Sequence, residues 1–335
     1  MSKDVIKKIN SRIRRALYTN LLTAHLMNAK DARKKKKEYP PLNRKPVVIS
    51  VTLRDGFSGL CDRLRGMCGM YQICKELGLE YKIAHFSPFN LYDFLLPNKV
   101  DWRIEKEDIE WDTRLVKILC WFPCGLVRLK KATDNDTHDF HFAQVKKILA
   151  RVKNKRQVHV YACMQCVKYE DINGLFHELF KPTEELQKLV DWNKEQIGGQ
   201  YISISTRFRN MLGDFEDCES VPASKEEQEF CIRKCLDEID KLHKENGGMK
   251  VLVTSDSSTF IKEVSKKEYV YIIPGEIEHT NKCEKQDVHL KTFVDLLTIS
   301  EAEKVYQITG GKMYKGLFSH TAACIGNKPY ELVQF

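Results

Sequence analysis

The stretch VVISVTLRDGFSGLCDRLRGMCGM, residues 47–70, passes from an apolar run through a polar turn into a pattern of helical period. Val47–Leu53 predicts a buried strand, and apolar side chains at three- and four-residue steps predict a helix over Cys61–Leu77. Gly56 and Gly59 would let the connecting turn bend tightly and approach a ligand. The stretch therefore predicts a strand–turn–helix unit of an α/β fold.

The same alternation of strand and helix patterns continues to the end of the chain. Ser224 and Glu227 form a capping-box signature before the longest predicted helix. Strands separated by helices indicate parallel sheets with helices on both faces. Lys99–Arg156 is less regular and yields no defined element. Further strands are predicted at Tyr81–His85, Val158–Ala162, Tyr201–Thr206, Val251–Thr254, Val270–Ile273 and Val305–Thr309, and further helices at Glu184–Gln196, Lys225–Glu245, Ser258–Ser265, Val288–Ile299 and Leu317–Ile325.

A length of 335 residues indicates two domains. We place the boundary in FKPTEELQKLVDWNKEQIGGQ, residues 180–200, which gives Rossmann-like domains at 47–195 and 196–335 after an N-terminal arm at 1–46. We expect the two domains to face each other across a cleft. Open parallel sheets bind ligands beyond the carboxyl ends of their strands, and clefts between domains concentrate small-molecule sites. The strand ends of both domains are therefore the predicted site.

The excess positive charge of the chain lies in the arm. Residues 1–46 hold 14 Lys and Arg against 3 Asp and Glu, whereas the remaining residues hold 41 against 43. Apolar residues at helical spacing from Ile6 to Leu26, followed by the basic run KDARKKKKEYPP, suit an anionic membrane surface. They equally suit packing of the arm on the body or on a second subunit. The near-neutral body argues against nucleic-acid binding by the folded domains.

Compartment and metal content follow from the apolar runs and the cysteines. No apolar stretch reaches the ~20 residues that cross a bilayer, and the charged N-terminus lacks a secretory signal. The predicted location is cytoplasmic, with peripheral attachment to the inner face of a membrane if the arm binds lipid. Twelve cysteines suit a reducing compartment as free thiols. Cys163–Cys166 and Cys120–Cys124 lack the second C-x-x-C pair or spaced histidines of a zinc site, so no metal is predicted.

Two arginines follow the predicted strand Tyr201–Thr206. Alternation along a strand would place Arg207 and Arg209 on the same face. Two guanidinium groups at the carboxyl edge of a sheet make a diphosphate clamp, because arginine binds phosphate oxygens in a bidentate fork. The alternative is a pair of surface salt bridges to the acidic residues that follow, Asp214, Glu216 and Asp217. The position at the strand end favours the clamp.

Three helix starts carry further candidates. Asp62 and Arg63, in the first turn after Gly59, could fix a sugar hydroxyl or a phosphate oxygen at the helix N-terminus. Asp256 and Ser257 follow another strand and either cap a helix or bind the base or ribose of a nucleotide.

The last helix start follows Gly310, Gly311 and Gly316. Its first turns carry Ser319, His320 and Thr321, whose hydroxyls and neighbouring backbone N–H groups suit a phosphate. His320 is either a general base or a hydrogen-bonded structural residue.

Four motifs, in this order, resemble one family. GLCDRL (59–64) is similar to a G-F-G-N-R-L-like turn, and STR (205–207) stands where an H-x-R strand end begins a donor domain. TSDSSTF (254–260) is similar to a T-D-D/S turn, and LLTISEAEKVYQITGGKMYKGLFSHTAA (296–323) is similar to the segment that closes the donor site. The chain thus resembles the fucosyltransferase group that includes the Nod-factor, core α-1,6- and protein O-fucosyltransferases, over most of 47–335.

The resemblance implies a GT-B fold, a GDP-sugar donor with GDP-fucose first, inversion at the anomeric carbon, a glycan or glycolipid acceptor, and no metal or other cofactor. Residues 47–195 would then be the acceptor-side domain and 196–335 the nucleotide-sugar domain. Arg207 would contact the β-phosphate, with Asp214 or Glu216 as the base. The donor-binding residues would be Gly59, Asp62, Arg63, Arg209, Asp256, Ser257, Ser319, His320 and Thr321.

Two departures from the family pattern keep alternatives open. Ser205 replaces the histidine of H-x-R, and Asp62 replaces the asparagine of the opening turn, where a carboxylate would repel a diphosphate unless paired with Arg63 or Arg65. The alternatives are a transferase with a different nucleotide sugar and a non-catalytic nucleotide- or glycan-binding protein. A third alternative is a nucleic-acid-binding protein that uses the basic arm, since the near-neutral body argues only against nucleic-acid binding by the folded domains.

Overall fold

The computed structural model describes residues 26, 45–52, 59–121, 134–162, 167–215, 221–277 and 285–335. The chain forms two compact units. The first unit comprises residues 1–91 and 97–180, and the second unit comprises residues 92–96 and 181–335. None of the helices in the described ranges is long and apolar enough to cross a membrane.

The first unit is built on a parallel sheet with the strand order β2-β1-β5-β4. The chain order of the strands reverses between β1 and β5, which is the kind of position where open α/β sheets bind ligands. β3 pairs separately with β6. Up to residue 182 the elements are β1 (Val47–Val51), α1 (Leu60–Leu77), β2 (Tyr81–Ala84), β3 (Leu95–Pro97), β4 (Val116–Trp121), α2 (Asp134–Leu149), β5 (Gln157–Ala162), α3 (Ile172–Leu179) and β6 (Phe180–Pro182), with 3₁₀ turns at Leu91–Asp93, Lys106–Asp108 and Tyr169–Asp171.

The helix α1 covers the sheet of the first unit, since it packs on β1, β2 and β5. Its predicted inner face, including Leu64 and Cys68, is buried. The hydroxyl of Tyr81 on β2 donates a hydrogen bond to the carbonyl oxygen of Met67 (3.0 Å) in the helix. Gly78, with φ +59°, ends the helix in the left-handed conformation that glycine adopts without strain.

The second unit has the five-stranded parallel order β11-β10-β7-β8-β9. Its first strand, β7, is central, and the chain order reverses between β7 and β10, as in a Rossmann sheet. All six residues of β7 are buried. The elements are α4 (Glu184–Ile197), β7 (Tyr201–Thr206), α5 (Lys225–Glu245), β8 (Lys250–Ser255), α6 (Ser258–Val264), β9 (Val270–Tyr271), α7 (Gln286–Ser300), β10 (Lys304–Thr309), α8 (Phe318–Gly326) and β11 (Tyr330–Gln334).

The division between the units falls about fifteen residues before the predicted boundary at 195, because α4 belongs to the second unit. One face of α4, which includes Leu186 and Val190, is buried, and the helix packs on α7. The hydroxyl of Tyr271 also donates a hydrogen bond to Oδ1 of Asn193 (2.8 Å). Residues 181–195 are therefore part of the second core.

The predicted α/β class with two parallel sheets is confirmed. The capping box is also confirmed, since Ser224 Oγ accepts from the Glu227 N–H (3.3 Å) and Ser224 N–H donates to Glu227 Oε2 (3.2 Å). The sequence did not predict the strands β3, β4, β6 and β11 or the helices α2 and α3. The buried face of α2 includes His138 and His141 where apolar residues are expected, which obscures its helical period.

Candidate functional site

The candidate site of the second unit lies at the carboxyl edge of its sheet, where the strand order reverses. Arg207 follows β7, and the loop 310–316 follows β10. The backbone N–H of Tyr314 in this loop donates to the carbonyl oxygen of Arg207 (2.9 Å). A Cβ added to Gly316 would lie 3.1 Å from Cδ of Arg207, so a larger residue here would require the arginine side chain to shift by a few tenths of an ångström.

Tyr314 brings the two predicted arginines together. The guanidinium carbon of Arg207 lies 5.1 Å from the centre of its ring, and that of Arg209 lies 4.6 Å away. Alternation along a strand, as predicted, does not explain why the two arginines lie together, because β7 ends at Thr206 and Arg209 adopts a left-handed φ of +55°. Phe208 between them is buried against Phe260, which anchors the turn and directs the flanking side chains away from the core.

Asp256 holds this arginine turn in place. Its Oδ1 accepts from the backbone N–H of Phe208 and its Oδ2 from that of Arg209, both at 2.8 Å, and Oδ2 lies 3.9 Å from Nε of Arg207. Burial raises the pKa of Asp256 to about 6, although the two N–H groups and the Arg207 charge favour the ionised form. Both carboxylate oxygens accept hydrogen bonds inside the protein, so Asp256 positions the arginine turn, and its donor-binding role stays a prediction.

Asp214 and Ser257 form the N-terminal cap of α6. Ser257 Oγ accepts from the N–H of Phe260 (3.1 Å), while Asp214 Oδ2 accepts from Ser257 Oγ (2.8 Å) and from the N–H of Thr259 (2.7 Å). Burial would raise the pKa of Asp214, but these hydrogen bonds together with one from Ser258 lower it below its usual value. A capping carboxylate with a lowered pKa is a poor general base. The structure thus gives both residues the capping role that was the alternative for Ser257.

The start of α8 supplies hydroxyl groups without partners. Ser319 and Thr321 are almost completely buried, and neither Oγ of Ser319 nor Oγ1 of Thr321 has a hydrogen-bond partner among the described residues. Leu317 at the N-cap position has no side chain that could bond the first N–H groups of the helix. His320 stacks on Tyr330, with ring centres 4.3 Å apart.

The loop 310–316 is anchored on α5. Met313 is buried, and its sulfur accepts a hydrogen bond from the Cys235 thiol (3.7 Å). Nζ of Lys312 lies 2.7 Å from Oε1 of Glu227, the capping-box residue of α5. Two contacts therefore fix the loop that positions Tyr314.

In the first unit, the predicted residues lie at the N-terminus of α1. Gly59 has a φ of −66°, open to any residue, and an added Cβ would meet no atom of the described residues within 4 Å, so packing among them does not require glycine here. Asp62 lies in the first turn, where a carboxylate favours the helix dipole. Arg63 is buried. His85, which follows β2, is also buried and shares a hydrogen bond with Thr52 beyond β1 (2.5 Å).

Sequence reasoning did not single out Tyr314, which contacts both arginines, and it named the buried Arg65 only as a possible partner of Asp62. An aromatic residue between Gly311 and Gly316, at the end of a strand, was the available signal for Tyr314. Arg65 offered none, since a basic residue within a helix usually faces solvent.

Several predictions fall outside the described residues. They concern Gly56, Glu216, the cysteines Cys124, Cys163 and Cys166, and the arm apart from residues 26, 45 and 46. Within the described part of the chain, no group of three or more His, Cys, Asp or Glu side chains is placed to hold a metal ion.

Two α/β units, each with a parallel sheet, define a GT-B type fold, and solved fucosyltransferase structures share it. One is the NodZ alpha-1,6-fucosyltransferase soaked with GDP-fucose (TM-score 0.53, 13% identity, 84% of this chain and 93% of that chain). NodZ from Bradyrhizobium gives a TM-score of 0.52 at 13% identity, covering 84% and 92%. The apo-form of POFUT1 gives 0.51 at 11% identity, covering 88% and 99%. No family model and no curated protein matches the chain. The predicted GT-B fold is confirmed.

Proposed function

We propose that this protein is a glycosyltransferase that transfers fucose from GDP-fucose to a glycan or glycoconjugate, with inversion and without a metal ion. The observation that carries the proposal is the packing of Gly316 on Arg207 where the strand order of the second sheet reverses. The fold supports it, because a solved NodZ fucosyltransferase with the same fold was soaked with GDP-fucose.

The chemistry of a diphosphate fits the groups at this sheet edge. Arg207 and Arg209 supply two guanidinium groups around Tyr314, and each can bind phosphate oxygens bidentately. The N-terminus of α8 supplies N–H groups, with the hydroxyls of Ser319 and Thr321 buried in its first turns. An anion bound here would find positive charge and hydrogen-bond donors on neighbouring elements of one unit.

The same groups would stabilise the leaving group. As the bond between the sugar and the diphosphate breaks, negative charge grows on the β-phosphate, and a fixed guanidinium stabilises it more in the transition state than in the ground state. An acceptor hydroxyl would attack the anomeric carbon from the opposite face in a single displacement. Asp214 and Glu216 were the two candidates for the general base. Because Asp214 caps α6, we propose Glu216 as the base.

The experiment compares binding with transfer. We expect calorimetry to show that GDP binds and that ADP and UDP bind more weakly, and we expect labelled GDP-fucose to give fucosylated product with an acceptor panel in the presence of EDTA. Arg207→Ala should lower transfer by about 10²–10³-fold, the usual effect of losing one charge-stabilising donor. Arg233→Ala, which removes an exposed arginine of the same unit, should leave transfer unchanged. Full transfer by Arg207→Ala would refute the assignment.

A non-catalytic nucleotide- or glycan-binding protein is the second candidate. The observation that favours it is the structural use of two carboxylates, since Asp214 caps α6 and Asp256 holds the arginine turn. GDP binding without donor hydrolysis or transfer to any acceptor would support this alternative.

A further inference from the structure

Arg65 is a buried cation that the proposed donor site does not use. It lies in the second turn of α1 in the first unit, and only 4% of its surface is exposed. Its guanidinium carbon lies 4.6 Å from the ring centre of Tyr169. Within the described ranges, Nε has no hydrogen-bond partner and no carboxylate forms an ion pair with Arg65. Buried arginines are almost always paired, because an uncompensated charge in a protein interior is strongly unfavourable.

The neighbours of Arg65 do not supply a counter-charge. Tyr169 is a neutral ring, which attracts a cation only weakly compared with a carboxylate. Cys68, one turn further along α1, is the ionisable group that interacts with Arg65, but burial raises the pKa of its thiol to about 12, more than the arginine lowers it. The thiol therefore stays protonated at neutral pH. Within the described residues, no group supplies a counter-charge to Arg65.

Arg65 is placed to meet a ligand at the carboxyl edge of the first sheet. Side chains of a helix lean towards its N-terminus, and α1 begins just beyond β1, beside the reversal of strand order between β1 and β5. Tyr169, under the guanidinium, belongs to the turn that follows β5. Arg65 thus lies on the helix that follows β1, and Tyr169 lies in the turn that follows β5. An open sheet binds its ligand beyond the ends of two such strands, where the strand order reverses.

We propose that Arg65 binds an oxyanion on the acceptor, so that the acceptor is a glycan that carries a carboxylate or a sulfate. The inference rests on the proposed transferase function. A nucleotide sugar has one diphosphate, and the second unit already offers Arg207, Arg209 and the start of α8 for it. A separate arginine site in the first unit therefore suits a different anion, and the acceptor is the other substrate.

The test is a thermal-shift comparison with the full chain at constant ionic strength. The probes are glucuronate and glucose 6-sulfate against glucose, inorganic sulfate as the free oxyanion, and GDP for the donor site. The acidic sugars should raise the Tm of the wild type and glucose should not, because a ligand stabilises the state that binds it. In Arg65→Met the acidic-sugar shift should disappear while the GDP shift remains. Arg114→Met, which removes an exposed arginine of the same unit, should respond as the wild type does.

Without ligand, Arg65→Met should raise the Tm by about 2–4 °C, because methionine fills the site without an unpaired charge. A fall in Tm would give Arg65 a structural role and overturn the proposal. The proposal is also overturned if the acidic sugars raise the Tm no more than glucose does, or if inorganic sulfate raises it as much as glucose 6-sulfate does. Loss of the GDP-induced Tm shift in Arg65→Met would overturn it as well, because that result would assign the arginine to the donor. Failure of GDP to stabilise the wild type counts against the proposed transferase alone, since the sugar-acid measurements do not depend on it.

Discussion

Asp256 should make the stability of the second unit depend on pH in a direction unusual for an aspartate. Its folded pKa is about 6, against 3.8 for the free side chain. A difference of about two pH units corresponds to ~3 kcal/mol between the protonated and ionised forms. The carboxylate is only 12% exposed, so solvent screening reduces this value little. At pH 7 the ionisation of the buried Asp256 therefore lowers the free energy of unfolding by about 3 kcal/mol.

The direction follows from proton binding. Because the folded state holds the proton more tightly than the unfolded chain, this contribution to the free energy of unfolding is present below the free-carboxyl pKa of 3.8 and is lost as the pH rises through 6. Asp256→Asn cannot titrate. The free energy of unfolding of the wild type minus that of Asp256→Asn should therefore fall by about 2 kcal/mol between pH 4 and pH 7, since part of the ~3 kcal/mol is already lost at pH 4.

Pulsed hydrogen exchange in a urea series measures the second unit separately from the first. Both proteins are equilibrated at each pH and then labelled at one fixed pH, and peptides from β7 and β8 report unfolding. Asp214→Asn is the contrasting variant. Since the folded pKa of Asp214 is lowered, its carboxyl is ionised in both states above about pH 5, and its difference curve should be flat from there to pH 7. Parallel curves for the wild type and Asp256→Asn would refute the reasoning.

Three further predictions address packing, the site and the arm. Gly326→Ala should destabilise the second unit by roughly 3 kcal/mol, seen as a lower Tm, because the new Cβ would overlap the carbonyl oxygen of Ser300 on α7; an unchanged Tm would contradict this packing. Gly316→Ala should weaken GDP binding in calorimetry about tenfold, because its methyl group would displace Arg207 by a few tenths of an ångström; unaltered affinity would remove Gly316 from the site. Sedimentation with anionic liposomes should require residues 1–46 and weaken in high salt; salt-independent binding would exclude the electrostatic mechanism.

The sequence predicted the parts of the fold that local patterns determine. The strand Tyr201–Thr206 and the capping box of Ser224 and Glu227 are both present as predicted. Each depends on a pattern that is only a few residues long. The helix α2 was not predicted because buried histidines stand in its apolar face. The unit that α4 joins has no local signature in the sequence, because it depends on contacts with distant α7.

The site was predictable in its location and less so in the role of each side chain. Strand ends indicated Arg207 and Arg209, but only tertiary hydrogen bonds show that Asp256 holds their turn. Asp214 and Ser257 are 43 residues apart, so their shared cap on α6 left no local signature. The isolation of Arg65 is a property of its surroundings that no spacing in the sequence reveals.

The contact between Cys235 and Met313 has a consequence for handling the protein under oxidants. A thioether in a closed core is tolerated because it is apolar, and its sulfoxide is polar and bulkier. Peroxide that reached Met313 would place an S=O group against α5 and lift the segment on which Tyr314 is carried. Loss of activity during storage in air, reversed by methionine sulfoxide reductase, would then trace to a sulfur atom beneath the arginine site rather than to the arginines.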